Sequence, residues 1–330
     1  MPQVVIVSPA SRVANNGNWQ TARRWQQHLA AACFARIVTA WPDARAGRDV
    51  VMIALHARRS AAAIAAWSAA HPGRGLTVVL TGTDLYRDIR TDPAAQHSLV
   101  LAQVLVVLQE LAPQSLPVEV RAKARVIFQS TTPRPPLPKP PHRLRAVMVG
   151  HLREEKSPET LFAAARLLAG QRDIYIDHIG EPLDPVLGEA ARATMAAVPN
   201  YRWLGGLPHE AVRRRIQRAH LLIHASRVEG GAHVVMEAVA SGTPVLASRI
   251  DGNVGMLGPD YAGYFPWGDA GALAALILRC YETRCGRDGD LLRVLAAQCR
   301  ERAPLFDPES ERWAVRGLVE MLALGAPSLT

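Results

Sequence analysis

Residues 221–248 have the sequence LLIHASRVEGGAHVVMEAVASGTPVLAS, and the pattern changes along them. A continuous apolar run at 221–224 predicts a buried strand. Small residues follow, and helical spacing of apolar side chains over 231–241 predicts a helix. Residues 244–247 predict the next strand. A strand, a helix and a second strand in this order are typical of a parallel sheet.

The same alternation extends outward from this stretch in both directions. In the first half, several runs of β-branched residues are too continuous for a sheet with one wet face, which favours a parallel sheet covered on both sides. The sequence therefore predicts an α/β fold with two doubly wound, Rossmann-like domains facing a cleft. We expect strands at 4–7, 36–39, 50–55, 76–80, 104–108, 124–128, 146–150, 174–179 and 201–204, helices at 19–32, 61–70, 158–168, 185–198 and 208–218, and a helical tail at 270–324.

A proline-rich stretch, TTPRPPLPKPP at 131–141, lies between the two halves. Such proline density removes backbone donors and fixes φ, so it predicts a stiff extended connector. A ligand for a partner domain is the alternative, but the α/β pattern resumes immediately afterwards and favours a linker. We expect an N-terminal domain at 1–133, the linker at 134–144, a second domain at 145–305 and a final helix at 306–330 that packs back on the first domain.

Composition limits the classes of partner. The chain has 330 residues, 49% hydrophobic and 20% charged, which is typical of a soluble globular protein. Its net charge of +9 favours anionic ligands. Aromatic content of 5% is too low for a surface that stacks single-stranded nucleic acid. The tightest basic cluster, Arg213–Arg215, is interpreted as a solvated helix face. The charge points to small anions, with no nucleic-acid partner.

Cysteines and termini point to a cytoplasmic chain without a metal. Cys33, Cys280, Cys285 and Cys299 form no CxxC pair, so we expect free or buried thiols. No apolar run is long enough to span a bilayer, and the first residues lack the pattern of a signal peptide. No acidic pair suited to Mg²⁺ is present, so no metal and no cofactor are expected.

The turn before the predicted helix at 231–241 carries the strongest chemical signal. Small residues there allow a ligand to approach the backbone, and the start of a helix is a natural seat for a diphosphate. Glu229 lies just before the helix, where a carboxylate can accept hydrogen bonds from sugar hydroxyls. Glu237 lies about two turns further along and is placed to reach a ribose. The competing interpretation makes both glutamates surface charges.

A second candidate loop, GHLREEKSP at 150–158, follows a predicted strand and precedes a helix. Cations in this position can neutralise the charge that grows on a leaving diphosphate. Lys156 is the main candidate. An ion pair with Glu154 or Glu155 is the competing interpretation.

Two loops of the first half are candidates for the acceptor side. NNGN at 15–18 follows the first strand but lacks the GxGxxG fingerprint of dinucleotide-binding proteins. LTGTDLYRD at 80–88 follows another strand. The acceptor-side candidates in these loops are Gly17, Asn18, Thr83, Asp84 and Arg87, although Asp84 is equally consistent with a helix cap.

The stretch SRVEGGAHVVMEA at 226–238, with ASGTPVLAS at 240–248, resembles the E-x7-E motif of the GT4-type retaining glycosyltransferases, which have the GT-B fold. The resemblance implies that Glu229 contacts the donor sugar and that Glu237 binds the ribose. It also implies donor contacts from the backbone at Gly230, Gly231, Ala232 and His233, together with Gly150 and Leu207.

The basic loop departs from the family pattern at one position. The family places an arginine directly after the glycine that corresponds to Gly150 and a lysine five residues later. Lys156 matches the lysine, but His151 stands in place of the arginine. Arg153 is our candidate for the missing cation, so the predicted catalytic residues are Lys156, Glu229 and Arg153. The altered loop leaves the anomeric outcome open.

Nearly the whole chain also resembles a narrower group, the selenosugar synthases of bacterial selenoneine biosynthesis. The stretches that carry this resemblance are SPAS and NNGNWQTARRW near the start, LTGTDLYRDI, VGHLREEKSPETL and SRVEGGAHVVMEAVASGTPVLAS. It implies a UDP-sugar donor, N-acetylglucosamine or glucose, and selenophosphate as the acceptor. Basic side chains near the first-domain loops suit a small oxyanion: Arg12, Arg23, Arg58 and Arg87.

Three other functions stay open at this point. An ordinary GT4-type glycosyltransferase acting on a hydroxyl would share the donor site. A non-enzymatic nucleic-acid-binding protein would show salt-sensitive affinity for DNA or RNA. A dehydrogenase is disfavoured because the glycine fingerprint is missing. We expect small-molecule substrates and no membrane partner, and the sequence leaves the oligomeric state open.

Overall fold

The structure is a computed structural model that describes residues 1–10, 17–283 and 290–324. The chain divides into two compact units. Unit 1 comprises Met1–Ser130 together with the C-terminal segment Pro308–Thr330, and unit 2 comprises Thr131–Asp307. Each unit is built on its own parallel sheet of six strands, as an α/β fold with two doubly wound domains requires.

Unit 1 alternates strands and helices over its first 126 residues. A turn of π-helix, Asp84–Asp88, follows the fourth strand. The elements are β1 Gln3–Val7, α1 Gly17–Leu29, β2 Phe34–Val38, β3 Val51–Leu55, α2 Ala61–Ala70, β4 Leu76–Val79, α3 Ile89–Thr91, α4 Pro93–Leu101, β5 Val104–Val107, α5 Val118–Arg121 and β6 Ala124–Val126, with α13 Pro308–Leu324 from the chain end.

The sheet of unit 1 has the order β2-β1-β3-β4-β5-β6, with every neighbouring pair parallel. Apolar side chains fill both faces, which explains why β3 is apolar at all five positions. One face packs Trp41 and Trp67, and the other packs Trp25 of α1. The direction of winding reverses between β1 and β3, and ligands of such sheets bind beyond the carboxyl ends of the strands near that point.

A buried carboxylate fastens α13 to unit 1. Glu311 accepts hydrogen bonds from Arg24 Nε and Trp25 Nε1, both at 2.7 Å, and from the backbone N–H of Ser130 at 2.9 Å. His28 Nε2 lies 3.2 Å from the same carboxylate. Burial raises the pKa of Glu311, but these partners outweigh it and lower the pKa to about 2.

Unit 2 restarts the alternation after the proline-rich segment. A short 3-10 turn, Glu154–Lys156, precedes its first helix. The elements are β7 Leu144–Val149, α6 Pro158–Leu167, β8 Ile174–Ile179, α7 Pro185–Ala197, β9 Tyr201–Trp203, α8 His209–Arg218, β10 Leu221–His224, α9 His233–Val239, β11 Val245–Ser248, α10 Asp251–Leu257, β12 Tyr264–Phe265, α11 Ala270–Thr283 and α12 Leu291–Arg302.

The sheet of unit 2 has the order β12-β11-β10-β7-β8-β9, again with parallel neighbours. Starting from its first strand, β7, the chain builds one half of the sheet outward and then crosses back to add β10 on the other side. The loops after β7 and β10 therefore diverge at the switch point of the sheet. This is the place where open α/β sheets bind their ligands.

The proline-rich segment is hydrogen-bonded along unit 2. The N–H of Leu137 donates to the carbonyl of Gln217 at 3.2 Å. Arg213 donates to Thr131 Oγ1 at 2.7 Å and to the Thr132 carbonyl at 2.9 Å. The prediction of a solvated Arg213 was wrong: the residue is 2% exposed, because it holds this segment, whereas Arg214 and Arg215 are exposed.

Several elements differ from the sequence-based expectation. Helix α4 was not predicted, although Asp92 caps it by accepting the Ala95 N–H at 2.9 Å and Pro93 opens its first turn. The predicted helix at 231–241 is shorter and begins at His233, not Gly231. The predicted helical tail includes the separate helices α11, α12 and α13. Cys33, Cys280 and Cys299 are buried free thiols, and Cys285 lies outside the described residues.

Candidate functional site

An ion pair joins the two strongest sequence candidates. Lys156 Nζ donates to Glu229 Oε1 at 2.5 Å. Lys156 ends the 3-10 turn after β7, and Glu229 lies in the loop after β10, so both come from the switch point of the unit 2 sheet. Only 15% of the lysine side chain and 13% of the glutamate side chain are exposed. The predicted alternative, in which Lys156 pairs with Glu154 or Glu155, is not the arrangement observed.

His224 supports Glu229 from the end of β10. Its Nε2 lies 3.4 Å from Glu229 Oε1 and 3.3 Å from Ser226 Oγ. Burial raises the pKa of Glu229, but the Lys156 ammonium and the hydrogen bond from His224 outweigh it and hold that pKa well below its usual range. Glu229 is therefore ionised and can accept hydroxyl hydrogen bonds.

Two glycines make room for this pair. A Cβ atom at Gly150 would lie 3.3 Å from Cγ and Cδ of Lys156, so the lysine stem passes directly over this glycine. A Cβ at Gly252, the second residue of α10, would lie 2.2 Å from the Glu229 carbonyl oxygen. Gly150 was a candidate from the sequence. Gly252 was missed, because it lies on the next helix, outside the motif.

Glu237 forms a second acidic centre on α9. Its Oε1 lies 2.6 Å from His209 Nε2, 3.7 Å from His233 Nδ1 and 3.8 Å from Arg213. Burial raises the pKa of Glu237, but the hydrogen bonds from His209 and His233 outweigh it and lower the pKa to about 2. Hydrogen bonding to Glu237 raises the pKa of His209. Leu207 lies half-buried in the loop before α8.

The turn between the two glutamates is compact. Gly230 and Ala232 are buried, whereas Gly231 and His233 are partly exposed. The Ala232 N–H donates to Met256 Sδ at 3.2 Å, so this amide is used inside the protein. We therefore assign phosphate contacts from this turn to its other residues. That assignment remains a prediction.

Arg153 lies further out than Lys156. Its side chain is 47% exposed, with Nε 3.7 Å from Glu155 Oε2. His151 accepts a hydrogen bond from the Glu181 N–H at 3.1 Å. Burial lowers the pKa of His151, and the nearby Arg153 lowers it further, so a neutral histidine occupies the position of the family arginine. The role of Arg153 as the second cation stays a prediction.

Trp267 packs beside the basic loop of unit 2. Its Nε1 donates to Ser157 Oγ at 2.9 Å, and the Arg227 guanidinium stacks 5.2 Å from its ring. Ser157 has a left-handed backbone with φ of 47°. No sequence motif pointed to Trp267, since it lies more than 100 residues beyond this loop.

The acceptor-side candidates lie in unit 1. Asp84 is fully buried, and its carboxylate accepts the N–H groups of Ala57 at 3.0 Å, Thr81 at 2.9 Å and Gly82 at 3.0 Å. These three hydrogen bonds give Asp84 a structural role in holding the loop backbone. At the start of α1, Gly17 is exposed and Asn18 is buried. In the loop after β4, Thr83 contacts His56 and Arg87 contacts Asp88. Arg12, one of the basic side chains expected to suit an oxyanion, lies outside the described residues.

Two further features concern metal ligands and cavities. Across the described part of the chain, no three His, Cys, Asp or Glu side chains gather in a way that would hold a metal ion. A surface cavity of about 1210 Å³ lies beside Gln3, Phe34 and Arg48. Gln3 and Phe34 begin β1 and β2, so this cavity is at the amino end of the sheet, opposite the edge where such folds bind ligands.

Comparisons with known proteins identify a family and a fold. The family described as "Glycosyl transferases group 1" matches residues 129–301, just over half of the chain. The match contains Lys156, Glu229 and Glu237.

Solved structures share the fold at low identity. The chain is similar to sucrose-phosphate synthase from Thermosynechococcus elongatus, with 19% identity and a TM-score of 0.75 over 99% of this chain and 100% of that one. It is similar to Anabaena HepE in complex with UDP and glucose, with 13% identity and a TM-score of 0.75 over 98% and 100%. It also resembles the pneumococcal O-GlcNAc transferase GtfA in complex with UDP and GlcNAc, with 17% identity and a TM-score of 0.64 over 83% and 57%.

Within the residues that the structure covers, no helix is both long and apolar enough to cross a bilayer.

Proposed function

We propose that this chain, which belongs to the glycosyl transferases of group 1, transfers N-acetylglucosamine or glucose from a UDP-sugar to selenophosphate. The observation that carries the donor half is the Lys156–Glu229 ion pair at the switch point of the unit 2 sheet. A cation and a carboxylate at that position match the two ends of a sugar diphosphate: phosphate oxygens and sugar hydroxyls.

The choice of a UDP-sugar has independent support. HepE was crystallised with UDP and glucose, and GtfA with UDP and GlcNAc. Both proteins share the fold of this chain, and both contain the same class of nucleotide. Glu237, buried beside His209, supplies an acceptor for the ribose hydroxyls. No metal is needed in this proposal, because Lys156 supplies positive charge at the diphosphate.

Each group in the donor site has a distinct role in the proposed reaction. Lys156 leaves Glu229 and donates to the diphosphate, so that it neutralises the charge that grows on the departing UDP oxygen. Glu229 then accepts hydrogen bonds from the sugar hydroxyls and fixes the sugar. Arg153 approaches the diphosphate from the exposed side, and the backbone of Gly230, Gly231 and His233 completes its surroundings.

The acceptor half is supported by the resemblance to selenosugar synthases and by the arginines in the loops of unit 1. Selenium of selenophosphate attacks C1 of the sugar, and the C1–O bond to UDP breaks, with the electron pair leaving on UDP. Water then attacks phosphorus, the P–Se bond breaks, and phosphate leaves. The products are a 1-seleno sugar, UDP and phosphate. Because selenium is a deprotonated and soft nucleophile, positioning supplies much of the acceleration and no strong base is required.

Mass spectrometry of the products tests the proposal. Purified protein is incubated with UDP-N-acetylglucosamine or UDP-glucose, first with selenophosphate and then with a panel of alcohols and sugars. We expect a seleno sugar that requires all components, and no product with hydroxyl acceptors. Products formed only on hydroxyls would overturn the selenophosphate assignment and favour an ordinary glycosyltransferase. Glu229→Gln protein serves as the matched control for donor-dependent product.

A thermal-shift comparison separates this proposal from the non-enzymatic one. UDP at high concentration is expected to raise the melting temperature, because a ligand that binds only the folded state stabilises it. A salt-sensitive shift with oligonucleotides and none with UDP would contradict the proposal and indicate nucleic-acid binding.

A further inference from the structure

We infer that Arg58 and Arg87 of unit 1, held side by side by Asp88, form a binding site for a small phosphate-type oxyanion. This inference rests on the proposed function and deepens it, since the oxyanion would be the selenophosphate acceptor. The site lies at the carboxyl edge of the unit 1 sheet.

One carboxylate organises both arginines. Asp88 Oδ2 accepts a hydrogen bond from Arg58 Nε at 2.9 Å, and Asp88 Oδ1 accepts one from Arg87 Nε at 3.3 Å. Only 6% of the Asp88 side chain is exposed, whereas the arginine side chains are 41% and 65% exposed. The buried carboxylate therefore lies beneath two accessible guanidinium groups.

The hydrogen bonds leave the outer edges of the guanidinium groups available. Each arginine uses Nε for Asp88, and among the described residues the terminal amino groups of Arg58 and Arg87 have no hydrogen-bond partner. A simple surface ion pair would be expected to use the terminal amino groups in a two-pronged contact. Here both contacts to Asp88 come from Nε, and the planar edge of a guanidinium group suits phosphate oxygens.

The charge balance favours an anion over a neutral ligand. Two guanidinium groups share one carboxylate, so their mutual repulsion is only partly offset. A neighbouring buried carboxylate, Asp84, already accepts three backbone N–H groups and is turned inward. An oxyanion bound between Arg58 and Arg87 would supply the missing negative charge.

The loops that carry the arginines are held rigidly. Arg58 follows β3 and Arg87 follows β4, which are parallel neighbours. His56, with a left-handed φ of 72°, accepts the Arg59 N–H on Nδ1 at 3.3 Å, and its Nε2 lies 3.3 Å from Thr83 Oγ1. A strained backbone at His56, held by these contacts, restricts the position of Arg58 two residues further along the chain.

Binding of inorganic phosphate by the full chain tests the site without relying on activity. The dissociation constant is measured by ³¹P NMR titration for the wild type, Arg58→Ala, Arg87→Ala and Asp88→Asn, each with and without saturating UDP. Arg90→Ala is the matched control, because Arg90 is exposed, follows Arg87 by three residues and carries the same charge. UDP-induced thermal shifts confirm that each variant is folded and binds UDP.

We expect each arginine variant to weaken phosphate binding about tenfold or more, since each loses charge-assisted hydrogen bonds. Asp88→Asn should change it by less than about threefold, because losing the contacts that position both arginines weakens binding while losing the carboxylate charge strengthens it. Arg90→Ala should stay within about twofold, and phosphate should bind equally with UDP present. In turnover assays, Arg58→Ala and Arg87→Ala should raise the KM for selenophosphate and leave the KM for the UDP-sugar unchanged.

Three results would overturn the inference: no phosphate binding to the wild type, equal losses in the Arg90 control, or displacement of phosphate by UDP, which would assign the arginines to the donor. Failure of the proposed function gives a different result. In that case phosphate binding still depends on Arg58 and Arg87, but no seleno sugar forms with any UDP-sugar.

Discussion

Lys156 contacts Glu229 at 2.5 Å across the switch point between β7 and β10. The two residues lie 73 positions apart in the chain, and each is largely removed from water. Their opposite charges offset each other. A diphosphate would compete with Glu229 for the ammonium, and sugar hydroxyls would compete with Lys156 for the carboxylate, so one sugar diphosphate can replace both halves of the ion pair.

Replacing Lys156 by Ala is expected to lower kcat/KM by about 100- to 1000-fold, because it removes a cation from the charge that develops on the leaving UDP. Glu229→Gln keeps the shape of the side chain and should also lower kcat/KM strongly. Steady-state kinetics with a UDP-sugar checks both variants. Lys123→Ala is the control, since Lys123 lies in unit 1 and donates to the backbone carbonyl of Val100. Unchanged kcat/KM in both Lys156 and Glu229 variants would reject the site.

The affinity for the nucleoside is expected to depend on pH through His209. Glu237 raises the pKa of His209, so the protonated histidine competes with a ribose for Glu237 at low pH and releases it as the pH rises through that raised pKa. Arg213 and His233 face the same carboxylate. The affinity of the wild type for UDP should therefore increase as the pH rises. The affinity of His209→Gln should increase less over the same pH range.

Calorimetric titration of UDP between pH 6 and pH 9 measures this difference. Comparing the two proteins removes the ionisation of the phosphate itself, which is common to both. The same linkage has a stability consequence. Because the pKa of His209 is higher in the folded state, protonation of His209 stabilises the fold. This stabilisation is fully present at a pH below the pKa of the unfolded state and is lost as the pH rises through the pKa of the folded state. If the affinity for UDP changed with pH in the same way in the wild type and in His209→Gln, the proposed competition between His209 and the ribose for Glu237 would be contradicted.

The two candidate donor loops could be located in the sequence because each motif is local. The pattern at 226–238 placed Glu229 and Glu237 on either side of a turn, and the loop at 150–158 placed a lysine after a strand. Both strands were visible as apolar runs. The contact between Lys156 and Glu229 required a further fact, the order of strands in the sheet, which no local pattern contains.

Other parts of the site depend on packing between distant segments and escaped prediction. Gly252 supports Glu229 from α10, and Trp267 reaches the basic loop from beyond β12. Arg213 was assigned to solvent because its neighbours Arg214 and Arg215 are charged, yet it is buried against Thr131. Helical spacing alone does not show which of the three arginines is buried, because Thr131, the partner of Arg213, lies outside the helix.

Glu311 is expected to contribute about 3 kcal/mol to the stability of unit 1 at neutral pH. Its partners lower the pKa from 4.5 to about 2, and each pKa unit corresponds to about 1.4 kcal/mol. Since the folded pKa is depressed, this stabilisation is present above pH 4.5 and is lost as the pH falls toward 2. Urea unfolding of wild type and Glu311→Gln at pH 7 should show the difference.

The difference between these two proteins should shrink progressively as the pH falls from 4.5 toward 2. Glu309→Gln is the matched control on the same helix, because Glu309 is 60% exposed and pairs with Arg312 at the surface. Its stability should change by less than about 0.5 kcal/mol. A Glu311 variant as stable as this control would show that α13 is held by its apolar face alone.

Trp267 is expected to set the position of Lys156 through Ser157. The indole N–H donates to Ser157 Oγ, and Ser157 has a left-handed backbone directly after Lys156. Trp267→Phe removes this hydrogen bond and should lower kcat about fivefold, the equivalent of one ordinary hydrogen bond.

Ser157→Gly and Ser157→Ala both lose the hydroxyl, but only glycine adopts a φ of 47° without steric cost. The alanine variant should therefore be less stable than the glycine variant by about 1 kcal/mol, measured by urea unfolding. Equal stability of these two variants, with full activity of Trp267→Phe, would mean that Lys156 is positioned by Gly150 and Glu229 without help from the tryptophan.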